Sequence, residues 1–382
     1  MAKIKKSYDA IIFGGGLSGL ISAKILMNKN KSFLIIEPSD KLGGRLLGWS
    51  ADDQILPSNL NLYSQNEGNL KHFTWLEETL DQQILSGQFH TNTFHFQDGS
   101  FKNFNGFGDK NPQALDQLNK FCFESEKLKI SSYPKDWISK LTNSLNEDHY
   151  LLNSEITKVK FVGDKAFAVE INGKTEVEFG ELIWAVAPQR LLDVVPNEYL
   201  GAADAKKLKK HIGVFDAVIL NLAHKEINFE DRAELNVEPN VEPNVKFNKE
   251  VLESINSETS VFCLYGSSLD FEPIVGHMTK NHSCWMSLID AEQALDHEHL
   301  TKVIKNMKRQ IKRAFPTFFE SPDFKEKIIL SESSYGQLLL KENEAGFLKS
   351  VPNIFCTSSL CSETSSGLLG TLDRTYRLDQ GL

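Results

Sequence analysis

The sequence predicts an α/β fold whose nucleotide-binding half is discontinuous, with a mixed sheet-and-helix unit inserted into it. Three observations predict this. Residues 8–36 run strand, glycine turn, helix, strand, the size of one βαβ unit. Further buried-strand patterns fall in the middle of the chain, at 156–186, and near its end, at 353–356. If strands from both ends share one sheet, the chain between them must supply the second unit. The expected boundaries are 1–60, 150–200 and 345–382 for the first unit, and 61–149 with 201–344 for the second.

Residues 8–13 (Tyr-Asp-Ala-Ile-Ile-Phe) are a short apolar strand, Gly14–Gly16 a turn, and 17–26 a helix. A second buried strand, 33–36, stops at Glu37-Pro38. Residues 50–130 are mixed and polar, with a helix near 69–80, and 137–145 has amphipathic spacing. Strands at 156–161, 166–171 and 175–179 are separated by Gly163-Asp164 and Asn172-Gly173, both turn pairs. Another strand, 182–186, meets Ala187-Pro188. Strands follow at 214–222, 261–266 and 283–290, and a helix at 298–314. The repeat from Asn236 to Val245 carries prolines that exclude a helix or central strand, so it reads as a surface loop or edge. After the 353–356 strand come a Ser/Thr-rich loop and a helix from Gly370.

The 382 residues are 41% apolar and 24% charged, the balance of a globular protein. The net charge of −9 excludes the basic stripe of a nucleic-acid binder and gives no pull toward anionic lipid. With 25 Phe against 8 Tyr, a large core is expected, with room for an apolar cavity. No apolar run reaches the ~18–20 residues of a membrane span. The lysines at 3, 5 and 6 precede an apolar run that breaks at Gly14, which argues against a secretion signal. Five scattered cysteines without a Cys-x-x-Cys pair read as reduced thiols of a cytoplasmic protein. The histidines lack metal-site spacing, so no metal is expected, and residues 362–366 hold no nucleophile elbow. A homo-oligomer is compatible with all of this and indicated by none of it.

The chemistry concentrates near the N-terminus. In Gly14-x-Gly16-x-x-Gly19 the first glycine makes the turn and the second lets a pyrophosphate approach the backbone. The third packs the helix on the sheet. Leu17 and Ser18 then open a helix whose free N–H groups and positive dipole end suit phosphate. Glu37, followed by Pro38, ends the next strand 18 residues after Gly19, where a carboxylate meets an adenosine ribose. Gly43-Gly44-Arg45 adds close backbone approach and a phosphate partner.

These residues resemble the flavin-containing amine oxidase, protoporphyrinogen oxidase and phytoene desaturase superfamily. Three further segments add to the resemblance: 137–159, Glu181–Pro188, and Val351–Phe355 followed by Gly367 and Gly370. Together they cover about a third of the chain. The resemblance implies a Rossmann-like FAD-binding domain of the glutathione-reductase type, FAD held noncovalently, and an inserted substrate domain. It places Ile156 where the backbone meets the adenine and Ala187 at the end of a cofactor-facing strand. It sets Ser359 at the ribityl chain, and Gly370 with Thr371 at the flavin N1–C2=O edge.

There are departures. Ser359 stands where the superfamily carries an acid, so a ribityl contact there lacks charge assistance. Residues 57–60 replace the superfamily's Asp-x-Gly-Ala, and in the segment 211–217 Ala217 occupies the position of the amine oxidase lysine. The expected function is an FAD-dependent oxidoreductase that oxidises a small, apolar molecule by hydride transfer to flavin N5. The alternative is a degenerate, non-redox FAD- or dinucleotide-binding protein. A nicotinamide-binding protein fits less well, because Gly43-Gly44-Arg45 is absent from plain NAD dehydrogenases. No catalytic side chain is assigned.

Overall fold

The structure is a computed structural model. It describes residues 4–382 apart from 48, 52–53, 57–59, 61, 98, 108–111, 133, 211–213, 225–248, 265–271, 280–281, 317–318, 320–323 and 339. The Asn236–Val245 repeat, residues 57–59 and His211–Gly213 therefore lie outside the described residues.

In chain order the first elements are β1 (Ser7–Phe13), α1 (Leu17–Asn28), β2 (Phe33–Ile36), β3 (Trp49–Ala51), β4 (Gln54–Leu56), β5 (Tyr63–Ser64) and α2 (Glu67–Leu80). Next come β6 (Leu85–His90), β7 (Asn92–Gln97), β8 (Ser100–Asn103), α3 (Pro112–Phe123), β9 (Glu126–Ile130), α4 (Pro134–Asn143) and β10 (Tyr150–Leu151). Then follow β11 (Ile156–Val162), β12 (Lys165–Ile171), β13 (Thr175–Trp184), α5 (Leu191–Val194), α6 (Asn197–Leu200), α7 (Ala202–Lys210), β14 (Val214–Ala223) and α8 (Lys249–Asn256). The chain closes with β15 (Ser260–Leu264), β16 (Ile274–Met278), β17 (His282–Asp290), α9 (Ala291–Ala294), α10 (His297–Ala314), β18 (Lys325–Gly336), β19 (Ile354–Cys356) and α11 (Gly367–Gly381).

One seven-stranded sheet runs β10-β2-β1-β13-β12-β11, with β19 also on β13. The β10, β2, β1, β13 and β19 pairings are parallel, and β13-β12-β11 is an antiparallel meander. Strands from residues 7–36, 150–184 and 354–356 thus share a sheet. The middle strands end in continuous buried apolar runs, Ala10–Phe13, Phe33–Ile36 and Leu182–Trp184, because helices or the meander cover both faces there. One face packs on α1, α2, α4 and α11, and the other on the meander and α5–α7. Positive φ at Gly163, Asn172 and Gly173 makes the two meander turns.

Two strands expected at 175–179 and 182–186 are a single strand, β13. Gly180 does not break it. A Cβ there would stand 2.8 Å from the Asp9 carbonyl, so the glycine lets β13 approach β1. Buried Asn353 seats β19: its side chain donates to the Ala166 and Gly180 carbonyls at 2.6 and 2.8 Å.

The second seven-stranded sheet is mixed, in the order β18-β14-β17-β16-β15-β7-β8. β7, β8, β16 and β18 were not anticipated; β18 opens Lys-Glu-Lys and carries three serines in its second half, which suits an edge strand and hides it. The amphipathic α10 covers one face through Val303, Met307 and Ile311. There Phe94, Phe101, Phe262 and Phe315 interlock, with centroids 5.1–6.0 Å apart, so core packing absorbs much of the phenylalanine excess. The opposite face, with Phe215, Ala217, Met286 and Leu288, belongs to another apolar cluster. A small sheet, β5-β9-β6, draws one strand from before α2, one from after α3 and one from between them.

Candidate functional site

At the end of β1 the backbone itself forms the site. Gly14, at φ +107°, turns the chain, and its N–H donates to the Ile36 carbonyl at 2.8 Å. A Cβ on Gly19 would lie 1.9 Å from the Gly14 carbonyl oxygen, so α1 can leave the turn only with glycine there. A Cβ on Gly16 would meet nothing within 4 Å. That open side adjoins the first turn of α1, whose N–H groups have no partner within the helix. Leu17 and Ser18 are buried at this helix head, and the Ser18 hydroxyl donates to the Ala185 carbonyl at 3.4 Å.

Gly43-Gly44 closes on this turn. The Gly43 N–H donates to the Gly15 carbonyl at 2.8 Å, and a Cβ on Gly44 would sit 3.2 Å from the Gly16 Cα. The two glycine motifs thus form one backbone clasp. The Glu37 carboxylate stands beside it. Oε2 accepts the Gly15 N–H at 2.5 Å, and Oε1 accepts the Ser39 N–H and hydroxyl at 2.8 and 2.6 Å.

Other residues named from sequence group around the clasp to different degrees. Pro38 follows Glu37 and is half-buried. Ser154 and Asn153 donate their N–H groups to the Glu37 and Ser39 carbonyls at 3.0 and 2.9 Å, which brings Ile156, buried at the start of β11, close to the acid. Residues 185–187 follow β13; Ala185 and Val186 back Gly14, and the Ala187 carbonyl accepts the Trp184 indole N–H at 3.1 Å. Arg45 is exposed, and its guanidinium donates to the Ser331 hydroxyl on β18 at 3.0 Å, linking the clasp to the second sheet. Ser331 pairs across the sheet with Ala217, which is fully buried.

Ser359 is buried and packs on Gly370, where an added Cβ would stand 3.0 Å from the Ser359 Cβ. The Gly370 N–H donates to the Ser366 carbonyl at 3.3 Å, inside the helix, and the Thr371 hydroxyl donates to the Gly367 carbonyl at 3.2 Å. The free N–H groups of α11 lie earlier, at Gly367–Leu369. A one-turn error in the sequence-predicted helix start accounts for this offset.

Gly367–Leu369 border a cavity of about 610 Å³. One side is apolar, with Leu62, Phe215, Met286 and Leu288; the other presents Ser64, Asn66, Asn69, Ser365 and Ser366. Ser362 braces the α11 turn. Its hydroxyl accepts the Thr364 and Ser365 N–H groups at 3.3 and 3.1 Å and donates to Asp373 at 2.6 Å. Asp373 in turn faces His72 on α2 at 3.6 Å, and burial holds that imidazole's pKa below its usual value.

Arg374, fully buried, lies under the same turn. It makes a bidentate pair with Glu342 at 2.8 and 2.9 Å and donates to the Cys356 carbonyl at 2.9 Å. Burial raises the Glu342 pKa, against the pull of Arg374. Lys127 on β9 is fully buried near the cavity, and burial brings its pKa down to about 8. Neither residue carried a sequence signal: an isolated Lys or Arg in a polar stretch reads as solvated. Among the described residues no group of His, Cys, Asp or Glu could hold a metal ion, and no helix is long and apolar enough to cross a membrane.

Residues 12–77 match the NAD(P)-binding Rossmann-like domain family. An L-amino acid dehydrogenase of Synechocystis is 29% identical over 184 residues, 46% of this chain and 35% of the relative. A flavin-containing amine oxidase of Oncorhynchus mykiss is 44% identical over 41 residues, 11% of this chain and 8% of the relative. The chain thus spans about a third of the first relative's length and less than a tenth of the second's. A solved structure of a putrescine oxidase variant aligns over 98% of both chains, with a TM-score of 0.61 and 12% identity, a likeness of fold. The fold and clasp define a Rossmann-type α/β protein with a built-in dinucleotide turn. Over the matched segments the chain is similar to an L-amino acid dehydrogenase and a flavin-containing amine oxidase, and over nearly its whole length it has the fold of a putrescine oxidase.

Proposed function

We propose that this chain is an FAD-dependent oxidoreductase, holding its cofactor noncovalently and oxidising a small, largely apolar substrate by hydride transfer to flavin N5. The observation that carries this reading is the clasp, in which two glycine motifs interlock through backbone beside a fixed carboxylate. The residues present fit the cofactor. Gly16 leaves the space a side chain would fill, and the head of α1 supplies amide donors to a pyrophosphate. Glu37 would take the adenosine ribose, Ile156 the adenine, and Arg45 would add positive charge. Ala187, Ser359 and Thr371 remain the candidates toward the flavin, joined by the free N–H groups of Gly367–Leu369. When bound, flavin supplies the two-electron acceptor; the protein positions it and keeps an apolar wall beside it. All five cysteines are buried and unbridged, which supports noncovalent binding and a reducing compartment such as the cytoplasm.

A second reading, dinucleotide binding without redox turnover, is favoured by Ser359 and Ala217, where an acid and a lysine are missing. The visible spectrum of the purified protein tests the first step. Flavin bands near ~450 nm and FAD released by acid are expected, and a folded Gly16→Trp variant should retain none. A colourless protein that takes up no added FAD, or a Gly16→Trp variant with unchanged flavin, overturns the proposal. Bound flavin that no amine, amino acid or carboxylate reduces under anaerobic conditions would favour the second reading.

A further inference from the structure

We propose that Ser64, held by the buried ammonium of Lys127, is a specificity site that selects a substrate carrying a carboxylate on an apolar body. The inference rests on reading the 610 Å³ cavity as the substrate side of the proposed oxidoreductase.

Ser64 on β5 sits opposite Lys127 on β9 in register. The Lys127 Nζ donates to the Ser64 hydroxyl oxygen at 2.9 Å, to the Phe121 carbonyl at 2.8 Å and to the Glu124 carbonyl at 2.5 Å. An ammonium has three donors and no acceptor, so all three donors are spent. In that bond Ser64 must accept, and its own O–H proton points elsewhere. Ser64 is 6% exposed, borders the cavity, and among the described residues its hydroxyl donates to none. The proton is thus available to a bound molecule as a charge-assisted donor.

Ser64 is also fixed from the other side. The Asn69 amide donates to its carbonyl at 2.6 Å, and the Asn69 N–H is capped by Asn66 at 2.9 Å. The donor therefore has one position. Across the cavity, Phe215, Met286 and Leu288 offer an apolar wall for the rest of the ligand. A buried cation behind the donor favours an anion over a neutral carbonyl and disfavours an amine. Glu124 and Lys120 also border the cavity, and the Glu124 carboxylate acts on the Lys127 ammonium as well. The other titratable groups facing the pair are Cys122, beside Lys127, and Tyr63 with Tyr335, where burial and mutual proximity hold the Tyr63 phenol neutral.

The test is calorimetric titration of the purified protein with benzoate, phenylacetate and octanoate, each against the amine on the same skeleton. Binding of at least one carboxylate, with its amine bound at least tenfold more weakly, is expected. Ser64→Ala and Lys127→Met should each weaken that carboxylate about tenfold while circular dichroism stays native. In the wild type the affinity should fall as pH rises through about 8, as the ammonium deprotonates; in Lys127→Met that step should vanish. Equal binding of acid and amine, an unchanged Ser64→Ala, or no carboxylate bound by folded protein each overturns the proposal. The readout does not use flavin, so carboxylate binding can survive a failure of FAD binding, and FAD binding can survive a failure here.

Discussion

At the head of α1 the working atoms are backbone: an N–H of one glycine motif against a carbonyl of the other. Around the cavity they are side chains, drawn from β5, α2, α3, β14, β17 and the turn before α11. The first region demands a residue type, because only glycine permits a Cβ-free approach. The second demands a position in space, which many residue types can occupy. That difference decides how each region responds to substitution, and how well each can be found by reading the chain.

The largest effect should come from beneath the cavity. Arg374 is fully buried and its charge is met by Glu342 through two short bonds. Removing one partner of such a pair strands the other charge, at a cost of about 3–5 kcal/mol. Arg374→Met should lower stability by that amount in urea unfolding, with the loss trimmed by Arg377, 3.7 Å from the same carboxylate. A loss below about 1 kcal/mol, within the range of exposed pairs, would mean that α11 does not depend on this pair and that the cavity end stands on apolar packing alone.

The matching change at the clasp is Gly19→Ala. One methyl group would enter to 1.9 Å from a backbone oxygen, and backbone cannot swing aside as a flexible side chain can. The cost should reach about 3 kcal/mol, the upper end for overpacking. Gly16→Trp has open space to occupy and should leave stability nearly unchanged while removing flavin. Thermal unfolding of both variants, with flavin content alongside, separates a fold-making glycine from a ligand-making one. Equal destabilisation by the two would erase that distinction.

The same contrast explains what could be read from the chain. Gly14, Gly16, Gly19, Glu37 and Gly43-Gly44 were legible because their spacing follows from the geometry of a turn, a helix and a strand end. The split sheet was legible because the buried ends of its parallel strands are continuous apolar runs. β18 was not, since an edge strand tolerates the lysines and serines it carries. The start of α11 was misplaced by one turn: Gly370 looked like the helix opening, but it is glycine because Ser359 and the Ser365 carbonyl press against it. Ser64, Lys127, Asp373 and Arg374 left no pattern, because their partners come from distant segments (63 residues apart for Ser64 and Lys127, from α2 to α11 for His72 and Asp373) or from carbonyls, which any residue supplies.

The smallest of the expected effects concerns Lys127 and depends on pH. Burial, only partly opposed by Glu124 and Cys122, brings its pKa from 10.5 to about 8. Below pH 8 both the folded and the unfolded chain hold this proton, and the fold bears the full cost of burying the charge. Between about 8 and about 10.4 the unfolded chain holds the proton and the fold does not. The unfolded state then binds more protons, so stability rises with pH across that window. Measured as wild type against Lys127→Met, the gain should be on the order of 2 kcal/mol from pH 8 to pH 10. Urea unfolding of both proteins at each pH checks it, and a difference that stays flat would mean the ammonium keeps its proton. The stability gained over this window would come with the loss of the fixed Ser64 donor. A deprotonated amine can accept the Ser64 hydroxyl proton and turn it away from the cavity. Carrying the charge at neutral pH is therefore a cost borne at the cavity end for a directed donor. At the clasp, glycine supplies the directed donors without any buried charge.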